Sequence, residues 1–265
     1  MKYFAPKSLE ELKDLFLSNH DLNILAGGTD VLPRWQDNPS LKLDVLVDIK
    51  KIPELIGIKE SETDIKIGAL TTVQDLKKSD IIKKHFSSIY EATCQFAGVQ
   101  IRHRATIAGN ICNASPAGDL LPGLYVHNAV IQISGLKGER VVPIHQFITG
   151  VGKTILESDE IVVGIVIPKS SIKSLFYKLG LRQSMAISVV NFAIAYEIDE
   201  NNNWKLAPAY DLTFSQGPGG EHSTTYLGEG KNPTQEHLLK LANKHNIKNA
   251  NNVILEVKNA IDSLL

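Results

Sequence analysis

Apolar residues recur at helical spacing near the start of the chain, at Leu9, Leu12, Leu15 and Phe16, behind a Ser8-Leu-Glu-Glu11 sequence of the capping-box type. The pattern predicts a first helix ending near Ser18. An apolar run at Leu22, Ile24 and Leu25 predicts a strand over residues 23–26 that runs straight into paired glycines. Alternation predicts a strand over 43–49, then a turn and a short helical piece around Pro53, then a hairpin of 56–59 and 64–67. Thr72 caps a short helix through Lys77. Asp80 caps a longer one that buries Ile81, Ile82, Phe86, Ile89, Tyr90 and Thr93, with Gly98 as its C-cap. A helix over 118–127, strands over 129–133 and 140–144, and a β-branched strand over 161–167 ended by Pro168 follow.

Beyond a polar stretch at 169–173 the pattern gives strands over 174–179, 188–198 and 205–215, the last two joined by Asp199-Glu-Asn-Asn-Asn203. Gly217-Pro-Gly-Gly220 reads as a flexible loop. Pro233 opens a helix carrying Leu238, Leu239 and Leu241, and 252–265 reads as a closing helix. Strands and helices are mixed without regular alternation, which argues for an α+β fold and against a doubly wound sheet. The expected division is residues 1–168, in two parts of about 1–52 and 53–168, followed by 173–265.

Composition narrows the functions. The chain has 265 residues, 43% hydrophobic and 22% charged, with a net charge of −1, so no basic face for nucleic acid or membrane is expected. The opening Met1-Lys-Tyr-Phe-Ala-Pro6 has no signal-peptide run and no window suits a membrane span, from which a cytoplasmic protein is expected. The only cysteines are Cys94 and Cys112, too few for an iron–sulfur cluster, which takes about four. The histidines show no metal spacing, so no metal site and no hydrolytic constellation are expected, and His103, His127 and His145 read as structural or surface residues. Gly150-Val-Gly-Lys-Thr154 imitates a nucleotide-triphosphate loop, but Phe147 stands where that pattern needs glycine.

Two stretches carry candidate chemistry. Between Gln100 and Pro122 small and hydrogen-bonding residues alternate, with no bulky side chain between Cys112 and Leu120. Such backbone leaves N–H groups uncovered for an anion. Leu25-Ala-Gly-Gly-Thr-Asp30 is a strand running into a glycine turn, a phosphate-cradling arrangement distinct from the G-x-G-x-x-G fingerprint. Together they suggest one diphosphate held from two sides.

Ala26-Gly-Gly-Thr-Asp30, followed by Thr106-Ile-Ala-Gly-Asn110 and Ala114-Ser-Pro-Ala-Gly-Asp119, resembles the FAD-binding (medium) subunit of molybdenum hydroxylases, a family that includes xanthine, carbon monoxide and nicotinate dehydrogenases. The similarity runs from Phe4 to about Ile198. It implies a two-part, vanillyl-alcohol-oxidase-like FAD-binding domain, then a smaller domain with a three-stranded antiparallel sheet and helices. It implies FAD as cofactor, with 2Fe-2S clusters on a small partner subunit and molybdopterin on a large one, and electrons leaving to NAD⁺ or another acceptor. By resemblance, Leu25, Ala26, Gly27, Gly28, Thr29, Asp30 and Val31 hold the diphosphate through backbone N–H groups and the Thr29 hydroxyl. Thr106, Ala108, Gly109 and Asn110 approach from the second side, Asn113 and Ser115 add polar contacts, and Asp119 accepts from a sugar hydroxyl. Phe96 and Val162 pack near the isoalloxazine, Lys178 reaches the flavin ring and Arg182 stands beside it.

No residue is expected to act as acid or base, since in a flavoprotein the cofactor does the redox chemistry. The chain departs from the family where Ala108 replaces a glycine, which requires negative φ there, and where Met185 stands in place of an acidic residue found in some NAD-reducing members. Two rival readings are a self-contained FAD-dependent reductase of the UDP-N-acetylenolpyruvoylglucosamine type and a flavin-free assembly subunit.

Overall fold

A computed structural model of the chain describes residues 2–19, 22–38, 44–182, 185–198, 204–206, 234–244, 249–252 and 254–255. The first layer is a parallel sheet of β1 (Lys2–Phe4), β2 (Leu22–Leu25) and β3 (Val45–Asp48), in the order β1-β3-β2, with α1 (Leu9–Ser18) between its first two strands. Helix α1 starts as its sequence predicts, with the Ser8 hydroxyl accepting from the Glu11 N–H. The Glu11 carboxylate, however, accepts from the Lys7 N–H at 2.7 Å. Leu12 and Phe16 are its buried residues. Residues 31–37, where no helix was expected, form α2 (Val31–Asp37), with Pro33 inside its first turn.

The second layer is an antiparallel sheet in the order β4-β5-β10-β6-β7, built from β4 (Ile58–Glu60), β5 (Asp64–Gly68), β6 (Val130–Gly135), β7 (Gly138–Pro143) and β10 (Glu160–Pro168). Helices α3 (Val73–Lys78), α4 (Asp80–His85), α5 (Ser87–Gln95), α6 (Val99–Arg102), α7 (Ile107–Asn113), α8 (Leu121–Val126) and α9 (Ile144–Phe147) fill the connections, with a small hairpin of β8 (Ile148–Gly150) and β9 (Lys153–Thr154). The helix expected over 80–93 is two helices. Phe86 leaves helical geometry at φ −134° and ψ 70° while its side chain is fully buried, so the apolar period continues across a break in the backbone. Its N-cap is Ser79 and not Asp80, because the Ser79 hydroxyl takes the Ile82 N–H. Gly98 caps the start of α6 instead of ending α5. Side chains from both sheets and these helices merge into one core around Val47, Ile65, Ile67, Leu76, Ile107, Ile131 and Ile165.

A third sheet, β11-β12-β13, is antiparallel: β11 (Lys173–Gly180), β12 (Ser188–Ile198) and β13 (Trp204–Leu206). Its buried face carries Ser174, Phe176, Asn191, Ala193 and Ala195. The chain divides into compact units of residues 1–212 and 213–265. The third sheet thus lies in the first unit, with β11 tied to α5 by the Ser88 N–H on Ser174 Oγ and the Phe176 N–H on Glu91. In the second unit α10 (Gln235–Lys244) is described, where a helix was expected. Most of the strand expected over 205–215, the loop at 217–220 and most of the closing helix lie outside the described residues. Among the described residues no helix is long and apolar enough to cross a membrane, and no cluster of potential ligands could hold a metal ion.

Candidate functional site

The cleft begins where β2 stops. The Leu25 carbonyl accepts from Ile49 at 3.2 Å, and the chain then turns through Gly27 and Gly28. A Cβ on Gly27 would stand 2.0 Å from the Arg104 carbonyl oxygen, so only glycine allows the two loops to touch. Gly28 has φ +76°, the left-handed region that favours glycine. The N–H groups of Gly27, Gly28, Thr29 and Asp30 find no acceptor among the described residues. Asp30 caps nothing. Its carboxylate accepts instead from Asn113 Nδ2 at 3.2 Å and stands 3.4 Å from Arg34, which links the first loop to the second.

The second stretch is helical where a loop was expected, and its N–H groups are largely spent. Ile107 donates to Thr71 at 3.0 Å, Ala108 to Ala69 at 3.2 Å, Asn110 to the Thr106 carbonyl at 3.0 Å, and Gly109 to the Thr106 hydroxyl at 3.0 Å. Ala108 sits in the first turn of α7, not among the residues with positive φ, so its methyl group is compatible with the backbone. What this side offers is side chains. Asn110 Oδ1 is buried and without a partner, an acceptor awaiting a donor. Ser115 Oγ accepts from the Ala117 N–H at 3.2 Å and retains its own hydroxyl proton.

Between the two stretches lies a cleft of about 550 Å³, within the roughly 300–1,000 Å³ usual for small-molecule sites. Thirteen of the sequence-predicted residues line it: Ala26, Gly27, Gly28, Thr29, Asp30, Val31, Phe96, Thr106, Gly109, Asn110, Asn113, Ser115 and Asp119. Five do not. Leu25 is buried beneath the turn and Ala108 inside α7. Val162 is 4% exposed in the core, paired with Ile133 across β10 and β6, and does not line the cleft. Lys178 and Arg182 line a neighbouring cavity of about 390 Å³ that shares Ala97 and Ala186 with the cleft. Arg182 donates to the Met185 carbonyl at 2.7 Å.

Asp119 and Lys178, expected to act separately, are joined. Lys178 Nζ reaches Asp119 Oδ2 at 2.6 Å and the Gln95 carbonyl at 3.2 Å, while Ser188 Oγ and Asn191 Nδ2 donate to Asp119 Oδ1 at 2.5 and 3.0 Å. Sequence reasoning had Phe96 but missed Ala97 beside it and the residue that fixes both. The buried Arg102 guanidinium donates to both their carbonyls, at 2.7 and 2.8 Å, and holds Ala97 at φ +32°. Arg34, Ile101, Ala105, Cys112, Gly152 and Ile187 complete much of the lining. Burial pushes the Cys112 thiol up to about 12, so this side chain is a neutral thiol at neutral pH. Gly152 belongs to the Gly150-Val-Gly-Lys-Thr154 stretch; its N–H donates to the Ala114 carbonyl at 3.0 Å, which is a structural use of that glycine.

Unsatisfied N–H groups on one wall suit an anion, and a buried orphan acceptor on the other suits a hydroxyl donor, in a cleft of small-molecule size within an α+β fold. The family of FAD binding domains in molybdopterin dehydrogenases matches residues 1–170, and the chain belongs to it. It is 37% identical over 210 residues to the nicotinate dehydrogenase FAD-subunit of Eubacterium barkeri, covering 75% of this chain and 69% of the relative. It is 34% identical over 214 residues to the xanthine dehydrogenase FAD-binding subunit of Escherichia coli O157:H7, covering 79% and 73%. Among solved structures, a carbon monoxide dehydrogenase of Hydrogenophaga pseudoflava lacking the Mo-pyranopterin moiety superposes with a TM-score of 0.73 at 28% identity, over 92% of this chain and 85% of that one. The cofactor is therefore FAD, the chain is an oxidoreductase subunit, and the family is that of the first reading of the sequence, not of the self-contained reductase.

Proposed function

We propose that the chain holds FAD in this cleft and relays electrons within a molybdenum hydroxylase of the cytoplasm. Iron–sulfur clusters on a small partner subunit are the source, a large molybdopterin subunit oxidises the organic substrate, and NAD⁺ or another acceptor takes the electrons away. Bound FAD supplies the redox chemistry, accepting and releasing electrons singly or in pairs. The chain's own residues bind and aim it. The observation that carries the reading is the row of four unpartnered N–H groups at residues 27–30, in the wall of the same cleft that the orphaned Asn110 lines. Backbone N–H groups in series suit a diphosphate, and the Thr29 hydroxyl stands in the same wall.

On the second side Thr106, Asn110, Asn113 and Ser115 act through side chains. Asp119 has three donors; a carboxylate accepts about four hydrogen bonds, leaving one for a sugar hydroxyl. Lys178 likewise uses two of its donors, and an ammonium carries about three. Phe96 lines the cleft and Ala97 is shared with the neighbouring cavity, where Arg182 places positive charge that favours a reduced, anionic ring, the charge of Lys178 being balanced by Asp119. The test is the visible spectrum of the purified chain after incubation with FAD and removal of excess. One bound flavin per chain is expected; no flavin bands would refute the reading. Bleaching of those bands by NADH, absent with other donors, tests the acceptor.

A further inference from the structure

The glycine turn has a brace that does not itself line the cleft. Lys50 Nζ donates to the Ala26 carbonyl at 3.2 Å and lies 2.8 Å from Asp48 Oδ1, while Asp48 Oδ2 accepts from the Tyr3 hydroxyl at 2.8 Å. Asp48 also accepts from the Lys50 N–H at 3.0 Å. The ammonium is thus held on one side by a carboxylate anchored at the end of β3 and on the other by the turn itself. In a trans peptide the carbonyl and the following N–H point in opposite directions. Fixing the Ala26 oxygen on Lys50 therefore turns the Gly27 N–H away from Lys50, and Gly27, unlike Lys50, lines the cleft. Arg104 O packs against Gly27 itself, since it lies 2.0 Å from where a Gly27 Cβ would be. Without Lys50 nothing else among the described residues donates to the Ala26 carbonyl.

We propose that Lys50 is a positioning residue for cofactor binding: it orients the Ala26–Gly27 peptide so that the free N–H groups of the turn meet the diphosphate of FAD. The proposal rests on the FAD-binding reading above. Its pairing with Asp48 spares the turn a net charge while leaving the direction of the carbonyl fixed. The full-length chain as wild type, Lys50→Met, Lys50→Ala and Lys50→Arg is titrated with FAD. Melting of the flavin-free proteins and the phosphorus resonances of bound FAD are recorded beside it. K50M and K50A should each weaken FAD binding about tenfold, the scale of one charge-assisted hydrogen bond, and should shift the phosphorus resonances. K50R should bind within about threefold of wild type with the resonances restored, because it can still donate to the same carbonyl. Flavin-free melting should move by no more than about 4 °C, as expected for a partly exposed ion pair. Wild-type affinity and unmoved resonances in K50M overturn the proposal and leave the FAD reading intact. A large melting loss with unmoved resonances makes Lys50 merely structural and overturns it as well. A wild-type chain that takes up no FAD overturns both.

Discussion

Replacing Gly27 by alanine tests the central geometric claim, that two separated stretches of chain meet backbone to backbone. The added methyl would lie 2.0 Å from the Arg104 carbonyl oxygen and 3.1 Å from the Ala105 Cα. Neither is the end of a flexible side chain, so relief requires the loops to part by more than about 1 Å, given that carbon and oxygen rest about 3.3–3.6 Å apart. Overpacking of this kind costs about 1–3 kcal/mol, occasionally more, and rigid backbone on both sides puts this case near the upper end. At about 2–4 °C per kcal/mol for a chain of this size, the flavin-free protein should melt about 6–12 °C lower. Parting the walls also spoils the spacing between residues 27–30 and Asn110, so FAD affinity should fall by more than about tenfold. Gly28→Ala is the control. Its Cβ would be 3.1 Å from the movable ends of Leu25 and Leu32, so the cost is the left-handed backbone at φ +76°, about 1–2 kcal/mol. Differential scanning fluorimetry and FAD titration rank the two variants. If G27A melts and binds as wild type does, the loops do not touch and the cleft as described is wrong.

Other expectations follow from buried groups. Lys178→Met strands Asp119, whose partner lies at 2.6 Å with both side chains under 10% exposed; losing one member of a buried pair should cost about 3 kcal/mol, measured as a lowered urea midpoint. Burial pushes the His127 imidazole down to about 4 from an ordinary 6.5, so between those values the unfolded chain takes up a proton that the folded chain does not. Stability should therefore fall by up to about 3 kcal/mol as pH drops through that window, and His127→Gln, measured by urea titration at several pH values, should flatten the decline. Cys94 is exposed, whereas the thiol of Cys112 is pushed up to about 12; one thiol per folded chain should react quickly with iodoacetamide at neutral pH, and two fast thiols would contradict the burial of Cys112.

What the sequence made legible was local chemistry, and what it hid was made by distant partners. The glycine turn at 27–28 shows itself because no other residue type serves both its positions, one for space and one for φ. Helix α7 stayed hidden: Ile107-Ala-Gly-Asn-Ile-Cys-Asn113 has weak helical propensity, and its first turn is held by Thr71 and Ala69, more than thirty positions upstream. That same capping changes what the second stretch can do. A loop with open N–H groups would cradle an anion symmetrically with the first, but a capped helix has none to spare, so the work passes to Asn110 and its neighbours. The Asp119 network joins residues 59, 69 and 72 positions away in the sequence, beyond any periodicity. Reading Asp119 and Lys178 as two independent ligands missed that each is the other's partner. The site is therefore asymmetric: a backbone wall at residues 27–30 set by glycine chemistry, and a side-chain wall whose Asp119 carboxylate is already balanced by Lys178 of the neighbouring cavity. An anion entering it is met by oriented dipoles more than by net charge, and so FAD binding here should depend only weakly on salt, unlike binding to a lysine-lined phosphate site. A steep loss of FAD affinity between low and high ionic strength would show instead that a free cation such as Arg34 carries the diphosphate.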